Sequence, residues 1–311
     1  MIGEYVAHCV IGAGFQGLPI VKKLMELGEE VICLDRNSDV GGIWHTGAYE
    51  TAHIISSKYS TGFPDFPMPA GYPDFPSKSE MQRYFRSYAE AFDLLPNIRF
   101  NVAVTRVSPI GSDADGARWR IETAAGETYR CRTVTIACGH HSEPKVASYP
   151  GEWTGESMPS SHYRSPHQFA GKRVLVVGSG NTACDAAVDA SHHGVTSDIS
   201  IREGVHFFPR TFAGRPIDTL LQASPIRGDW IDKIIARVIN ATVVGDLRRW
   251  GMPRPTQGIL DTHPVINTEL LRRIRLGAAG EGASCSSRDV DGEQWGEEVL
   301  LGRGARRQGG R

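Results

Sequence analysis

The chain has 311 residues, 40% of them hydrophobic and 22% charged, which allows two ordinary soluble domains. A net charge of −1 lacks the basic surplus of a nucleic-acid binder, and no apolar run reaches the eighteen or so residues that read as a membrane-spanning helix. The six cysteines, at 9, 33, 131, 138, 184 and 285, form no Cys-x-x-Cys pair, which argues against a redox dithiol or a zinc ribbon; reduced cysteines in a cytoplasmic protein are the simplest reading.

The N-terminus, Met1 to Val6, lacks the basic-then-apolar layout of a signal peptide. Residues 6–11 read as a buried strand, roughly 15–28 as a helix with Leu18, Val21, Leu24, Met25 and Leu27 on one side, and 31–34 as a second strand. Between the first strand and the helix lies Gly12-Ala-Gly14-Phe-Gln-Gly17. Gly12 permits the tight turn, Gly14 lets main chain approach a pyrophosphate, and Gly17 lets helix and strand pack closely. The helix N-terminus turns N–H groups and a positive dipole end toward the phosphates. Asp35 closes the second strand, 23 residues after Gly12, where an acid bonds a ribose hydroxyl. The unit predicts a dinucleotide site; a ligand-free tight turn is the competing reading. Gly41-Gly42-Ile43-Trp44 follows, by itself either a turn before a core tryptophan or main chain brought close to a flat ring.

Residues 59–76 carry Pro64, Pro67, Pro69, Pro73 and Pro76 among Phe63, Phe66, Tyr72 and Phe75, a pattern that excludes helix and central strand and predicts an ordered loop. Ser77 and Glu80 form a capping box for a helix to about Phe92. Strands are expected near 98–107, 118–123 and 127–137, the last two as a hairpin around Gly126.

Residues 171–202 repeat the opening pattern: strand 173–177, helix 181–193, strand 199–201. The turn is Gly178-Ser-Gly180-Asn181-Thr182-Ala183. Arg202, 24 residues after Gly178, stands where an acid would hold a ribose hydroxyl. A guanidinium suits a 2′-phosphate, which favours NADPH over NADH. Glu203 beside it is a counter-signal, and a solvated strand-end arginine is the plain alternative. An amphipathic helix is expected around 229–240, as core, subunit contact or surface anchor. Residues 277–311 hold nine glycines and eleven charged residues with little periodicity and read as a disordered tail. The pairs His140-His141 and His192-His193 lack further ligands at metal spacing, so no metal site is expected.

With Gly-Gly-x-Trp after the acidic strand end, the sequence resembles the flavin-containing monooxygenases. Trp153-Thr-Gly155-Glu-Ser-Met-Pro159-Ser-Ser-His162-Tyr163 is similar to the family's linker fingerprint, with Trp153 for phenylalanine and Pro159 for histidine. Tyr163 sets the chain nearer the heteroatom-oxygenating branch than the Baeyer–Villiger branch, which usually has tryptophan there. Thr135 to Pro144 resembles the first crossover out of the FAD domain, with Cys138 for threonine, and Phe63 to Pro69 is of family type. Ile55 fills a place where an asparagine often faces the flavin.

The resemblance covers roughly residues 6–275. It implies an α/β fold of two Rossmann-like, three-layer dinucleotide-binding domains, the NADPH domain inserted in the FAD domain. The expected division is 1–150 (FAD), 151–170 (linker), 171–276 (NADPH) and 277–311 (tail). It also implies sites at Gly12, Gly14, Gly17, Asp35, Gly42 and Trp44 for FAD, and at Gly178, Gly180, Asn181, Thr182 and Arg202 for NADPH. Partners would be O2 and a small molecule oxygenated at nitrogen or sulfur through a flavin hydroperoxide. Ser57 and His162 are the nearest candidates for a catalytic side chain. No family-type return strand into the FAD domain is legible in the tail, so that domain is expected to be incomplete, as after a shifted frame. The competing readings are a weakly FAD-binding or inactive remnant, a Baeyer–Villiger enzyme, and a relative of the pyridine-nucleotide disulfide reductases.

Overall fold

A computed structural model describes residues 4–111, 116–140, 144, 153–194, 196–221, 229–261, 265–277, 284–286 and 298–302. In chain order the first elements are β1 (Glu4–Ile11), α1 (Gly17–Glu26), β2 (Val31–Leu34), a short helix α2 (Lys58–Thr61), α3 (Lys78–Ala91), β3 (Ile98–Arg99), β4 (Val104–Pro109), β5 (Trp119–Thr123) and β6 (Thr128–Ile136). Then come β7 (Glu156–Pro159), β8 (Arg173–Val177), α4 (Asn181–His193) and β9 (Thr196–Ser200). The two-residue strands β10 (Phe207–Phe208), β11 (Thr211–Phe212) and β12 (Arg215–Pro216) lead to α5 (Ile217–Leu221) and α6 (Asp229–Ile239). The last elements are β13 (Val265–Ile266), α7 (Thr268–Gly277), β14 (Ser284–Ser286) and β15 (Glu298–Gly302).

Two compact units result, Met1–Ala48 with Pro76–Glu143, and Tyr49–Phe75 with Pro144–Arg311. The first is built on a six-stranded sheet ordered β3-β2-β1-β6-β5-β4. The pairs β3–β2, β2–β1 and β1–β6 are parallel, and β6–β5–β4 is an antiparallel meander. All four residues of β2, Val-Ile-Cys-Leu, are buried, as expected of a strand covered on both faces. Helix α1 packs on β1 and β2 and buries Leu18 and Val21. The β5–β6 turn runs through Gly126 at φ 82°. Helix α3 begins with the capping box read from the sequence: Ser77 Oγ accepts from the Glu80 amide, and Glu80 accepts from the Ser77 amide at 2.7 Å. Its buried face is Met81, Tyr84, Phe85, Tyr88 and Ala89, at the spacing of one helical side.

The second unit has a five-stranded sheet ordered β14-β9-β8-β15-β7, parallel throughout. Its core joins Val174 and Val176 of β8, Ala186, Ala187 and Ala190 of α4, Ile199 of β9 and Leu270, Leu271 and Ile274 of α7 around Tyr163 and Phe169. The small side chains of α4 let that helix lie close to its strands.

By its contacts the stretch 49–75 groups with the second unit, beside the expected division at residue 150. Hydrogen bonds far apart in sequence decide this: Tyr49 and Thr51 bond to Asp185 and Asp189, and the Ser57 amide donates to Asp218 at 2.7 Å. The tail is also not structureless throughout. Residues 284–286 pair with β9, and 298–302 run between β7 and β8 in register Val299↔Val174 and Leu301↔Val176. Strands of three and five residues have too few positions to show a period, so their pairing partners alone reveal them. Among the described residues after 144, none joins the first sheet. His141, the end of the first crossover (142–143) and the remaining tail positions lie outside the described residues.

The expected elements at 31–34, 173–177 and 181–193 coincide with β2, β8 and α4, and the expected helix at 229–240 is α6. In the proline-rich loop only Phe63 of the aromatics is buried, while Tyr59 is exposed. No helix among the described residues is long and apolar enough to cross a membrane.

Candidate functional site

In the first unit the glycine loop sits at the carboxyl ends of β1 and β6, where neighbouring strands are reached in opposite directions along the chain. Such a switch point is the usual crevice for a ligand in a parallel sheet. The Gly12 amide donates to Leu34 O at 2.9 Å, and the Ala137 amide, just after β6, donates to Ile11 O at 2.8 Å. Gly12 has φ 105°, and a Cβ there would meet Ala137 O at 2.6 Å. A Cβ on Gly17 would stand 1.8 Å from Gly12 O. These two glycines are therefore required by the fold of the loop itself.

Gly14 and Gly42 do something different. A Cβ on Gly42 would lie 3.3 Å from Gly14 Cα, and one on Gly14 would lie 3.6 Å from Gly42 Cα. The Gly41 amide donates to Ala13 O at 3.0 Å. The Gly-Gly-x-Trp turn is thus stitched to the glycine loop, and two motifs nearly thirty residues apart become one wall of bare main chain. Trp44, half-buried, follows in a π-type turn over Ile43–Gly47. Phe15 sets its ring edge-on to Phe85 at 5.9 Å, which ties the start of α1 to α3.

Asp35 is 5% exposed. Its Oδ2 accepts from the Ala13 amide at 2.6 Å, and its Oδ1 accepts from the Asn37 amide at 2.7 Å. The carboxylate therefore first clasps its own loop, and each oxygen has a second lone pair for a ribose hydroxyl. The donor set fits a dinucleotide: a helix N-terminus, glycine main chain and one buried acid.

The second unit repeats the arrangement at the end of β8. Gly178, at φ 134°, donates its amide to Ser200 O at 2.9 Å, and a Cβ there would reach Ala183 Cβ at 3.8 Å. Gly180 is the N-cap of α4. Asn181 opens the helix, and its Oδ1 accepts from the Ile266 amide at 3.0 Å, so this side chain braces β13. Thr182 hydrogen-bonds Tyr49. Strand β15 ends beside β8, with Gly302 opposite Val177, and β9 flanks the other side. Arg202 is 79% exposed and stands 3.7 Å from Glu203. A solvated pair at that distance holds the guanidinium weakly, on the order of 0–1 kcal/mol. That leaves it able to turn to a phosphate.

The two weak catalytic candidates are placed otherwise. Ser57 is fully buried as the N-cap of α2, its Oγ 3.5 Å from Ser60 Oγ. That is a structural setting. His162 is exposed on a 3-10 turn, where its carbonyl accepts from Gln168 at 3.3 Å. Tyr163 is buried instead, stacked on Phe169 at 4.9 Å, and donates to Asp189 Oδ2 at 2.5 Å. A cavity of about 600 Å3 lies at Arg210, Val244, Arg272 and Arg275, and its lining includes no residue of the second glycine loop.

Sequence reasoning missed the carboxylates of α4. Asp185 and Asp189, four residues apart, collect hydroxyl and amide donors from positions 49, 51, 163 and 267. The four-residue spacing was the available signal, since it sets both on one helical face. Burial pushes the Asp185 carboxyl above the usual carboxylate range. Burial, with Asp185 next to it, pushes the Tyr49 phenol up, and burial with Asp189 does the same to Tyr163; both phenols stay protonated as donors.

The fold is shared with solved flavoproteins. It superposes on a flavin-containing monooxygenase from Stenotrophomonas maltophilia with TM-score 0.66 and 21% identity, covering 98% of this chain and 80% of that one. On a closed cyclohexanone monooxygenase the TM-score is 0.71 at 17% identity, with 96% and 70% covered. In sequence, the chain is 32% identical to flavin-containing monooxygenase 5 of Oryctolagus cuniculus over 89% of this chain and 56% of that protein. It is 29% identical to the indole-3-pyruvate monooxygenase YUCCA1 of Oryza sativa subsp. japonica, with 96% and 76% covered. The chain thus spans about half the length of the flavin-containing monooxygenases it matches. The pattern of flavin-binding monooxygenase-like proteins runs along residues 6–283, nearly the whole of both units, and the chain belongs to that family.

Proposed function

We propose that the chain carries FAD on the first unit and NADPH on the second, and uses O2 to oxygenate a nitrogen or sulfur of a small molecule. The observation that carries the reading is the juxtaposition of Gly14 with Gly42, which makes a side-chain-free wall beside the N-terminus of α1. When bound, the flavin supplies the oxygen chemistry and NADPH the electrons. Overall, substrate, O2, NADPH and a proton give oxygenated substrate, NADP+ and water. The protein's own work is to hold. Gly12, Gly14 and the start of α1 receive the pyrophosphate, Asp35 faces the ribose, and Gly42 and Trp44 flank the ring. Gly178, Gly180 and the start of α4 receive the second pyrophosphate, and Arg202 takes the 2′-phosphate.

The absence of a Cys-x-x-Cys pair from the sequence disfavours a disulfide reductase. Burial pushes the Cys9 thiol up to about 12 and Cys131 to about 11, so neither is a thiolate at neutral pH.

Purified protein is expected to hold or take up flavin, to lose the flavin absorbance band on anaerobic NADPH addition, and to consume O2 with an amine or a sulfide. The panel includes a cyclic ketone and indole-3-pyruvate, the compound in the rice relative's name. Lactone formation would move the chain to the Baeyer–Villiger reading. Protein that stays colourless after soaking with FAD would sink the proposal in favour of an inactive remnant.

A further inference from the structure

Helix α4 follows directly on the second glycine loop, and two carboxylates on one face of it carry four side-chain hydrogen bonds. Asp185 Oδ2 accepts from the Tyr49 hydroxyl at 2.5 Å, and its Oδ1 accepts from Asn267 Nδ2 at 2.7 Å. Asp189 Oδ2 accepts from Thr51 at 2.6 Å and from Tyr163 at 2.5 Å. Asn267, 2% exposed, also caps α7 by accepting from the Leu270 amide at 2.8 Å. Arg210 donates to His53, and both lie close enough to act electrostatically on Asp185. The rings of Tyr49 and Tyr163 lie 5.1 Å apart. One helix thereby gathers the stretch 49–53, the linker at 163, Arg210 and the start of α7.

Apolar residues could cover that face at lower cost. Two half-buried carboxylates one turn apart repel each other, and their partial burial forfeits hydration that their partners only partly restore. What such a network adds is a defined position, because each of these bonds holds its donor at a set distance from a carboxylate oxygen. The position it defines is that of the first three turns of α4, whose N-terminus is the dinucleotide cradle, relative to 49–53. Tyr49 is also the first residue of the second unit after Ala48, so the latch grips the chain where it enters that unit.

We propose that Asp185 and Asp189 are positioning residues that latch the entering segment 49–53 and Tyr163 to α4, so that nicotinamide dinucleotide binding and order in 49–53 are coupled. The inference rests on the NADPH reading of the second unit. Coupling of this kind is reciprocal: what tightens 49–53 tightens the ligand, and the ligand tightens 49–53.

The test uses the full chain, with NADP+ as the probe. Hydrogen exchange of peptides spanning 49–53 and 160–165 is followed with and without NADP+, and NADP+ affinity is titrated calorimetrically. In the parent, NADP+ slows exchange at 49–53. Tyr49→Phe and Asp189→Ala weaken NADP+ about fivefold or more and abolish that protection. Asp185→Asn, which keeps an acceptor for Asn267 and lets the Tyr49 hydroxyl turn, retains most of both. Ile274→Ala, in the same core but off the latch, lowers the melting temperature and leaves NADP+ affinity at the parental value, which separates positioning from general loss of stability. Parental affinity and parental protection in Tyr49→Phe and Asp189→Ala would overturn the proposal. If the parent itself binds no NADP+, the NADPH reading falls, and ligand-free exchange decides the latch. Faster exchange at 49–53 in Tyr49→Phe upholds the contact, and unchanged exchange overturns it.

Discussion

At the scale of single residues, the two glycine motifs separate into positions required by the fold and positions available to a ligand. Gly17 belongs to the first kind, since its Cβ would overlap Gly12 O. Gly17→Ala is expected to cost about 1–3 kcal/mol or more through backbone displacement and to abolish flavin uptake. Denaturant unfolding and flavin absorbance check both. Gly42 belongs to the second kind, because added bulk there would fill the space beside Gly14. Arg202 is the residue whose sequence reading most needs a measurement. It is exposed, and its ion pair with Glu203 is loose. Arg202→Ala should raise KM for NADPH roughly tenfold to a hundredfold, the worth of one or two charge-assisted bonds, while leaving KM for NADH nearly unchanged. Glu203→Gln should lower KM for NADPH. Equal changes for both cofactors in Arg202→Ala would remove it from the phosphate site.

At the scale of elements, helix α4 and strand β15 carry the tests. Burial raises the folded pKa of Asp185 above the ordinary carboxylate range, so the folded state holds that proton more tightly than the unfolded state does. The stability contributed in this way is present below the unfolded pKa and is lost as pH rises through the folded one. Asp185→Asn mimics the protonated form and escapes that loss. Its melting-temperature deficit relative to the parent should therefore shrink as pH rises from about 4, the unfolded carboxylate value, toward neutrality. A deficit that grows with pH would show that the charged form is the favoured one. Strand β15 pairs on both edges, with β7 and with β8. A chain ending at residue 297 would keep β14, remove β15 and leave the facing edges of β7 and β8 open in the second sheet. Loss of the cooperative melt of the second unit, with aggregation, is expected; a truncated chain that melts like the parent would show that the sheet stands without β15.

At the scale of the whole molecule, each unit has its own sheet, core and glycine loop, and each should respond to its own ligand. Saturating FAD is expected to raise the unfolding transition of the first unit, and NADP+ that of the second. Each effect is worth about 2.7 kcal/mol at a hundredfold excess over Kd, read by calorimetry. A single transition raised equally by either ligand would show that the units unfold as one. Much of this organisation was legible in the chain itself. Local chemistry determined the strand–glycine loop–helix–strand units, with Asp35 and Arg202 just past their strands, and the Ser77–Glu80 cap, because each depends on residues close in sequence; the family resemblance rests on several such short motifs taken together. Tertiary structure alone decided that Gly41-Gly42 is stitched to the first glycine loop, and that 49–75 belongs with the second unit. It alone decided that Asp185 and Asp189 gather four distant donors, and that 298–302 is an inner strand. Those outcomes depend on pairings between segments tens to hundreds of residues apart, and neither a period nor a short motif records which distant partner will satisfy a buried polar group or a strand edge.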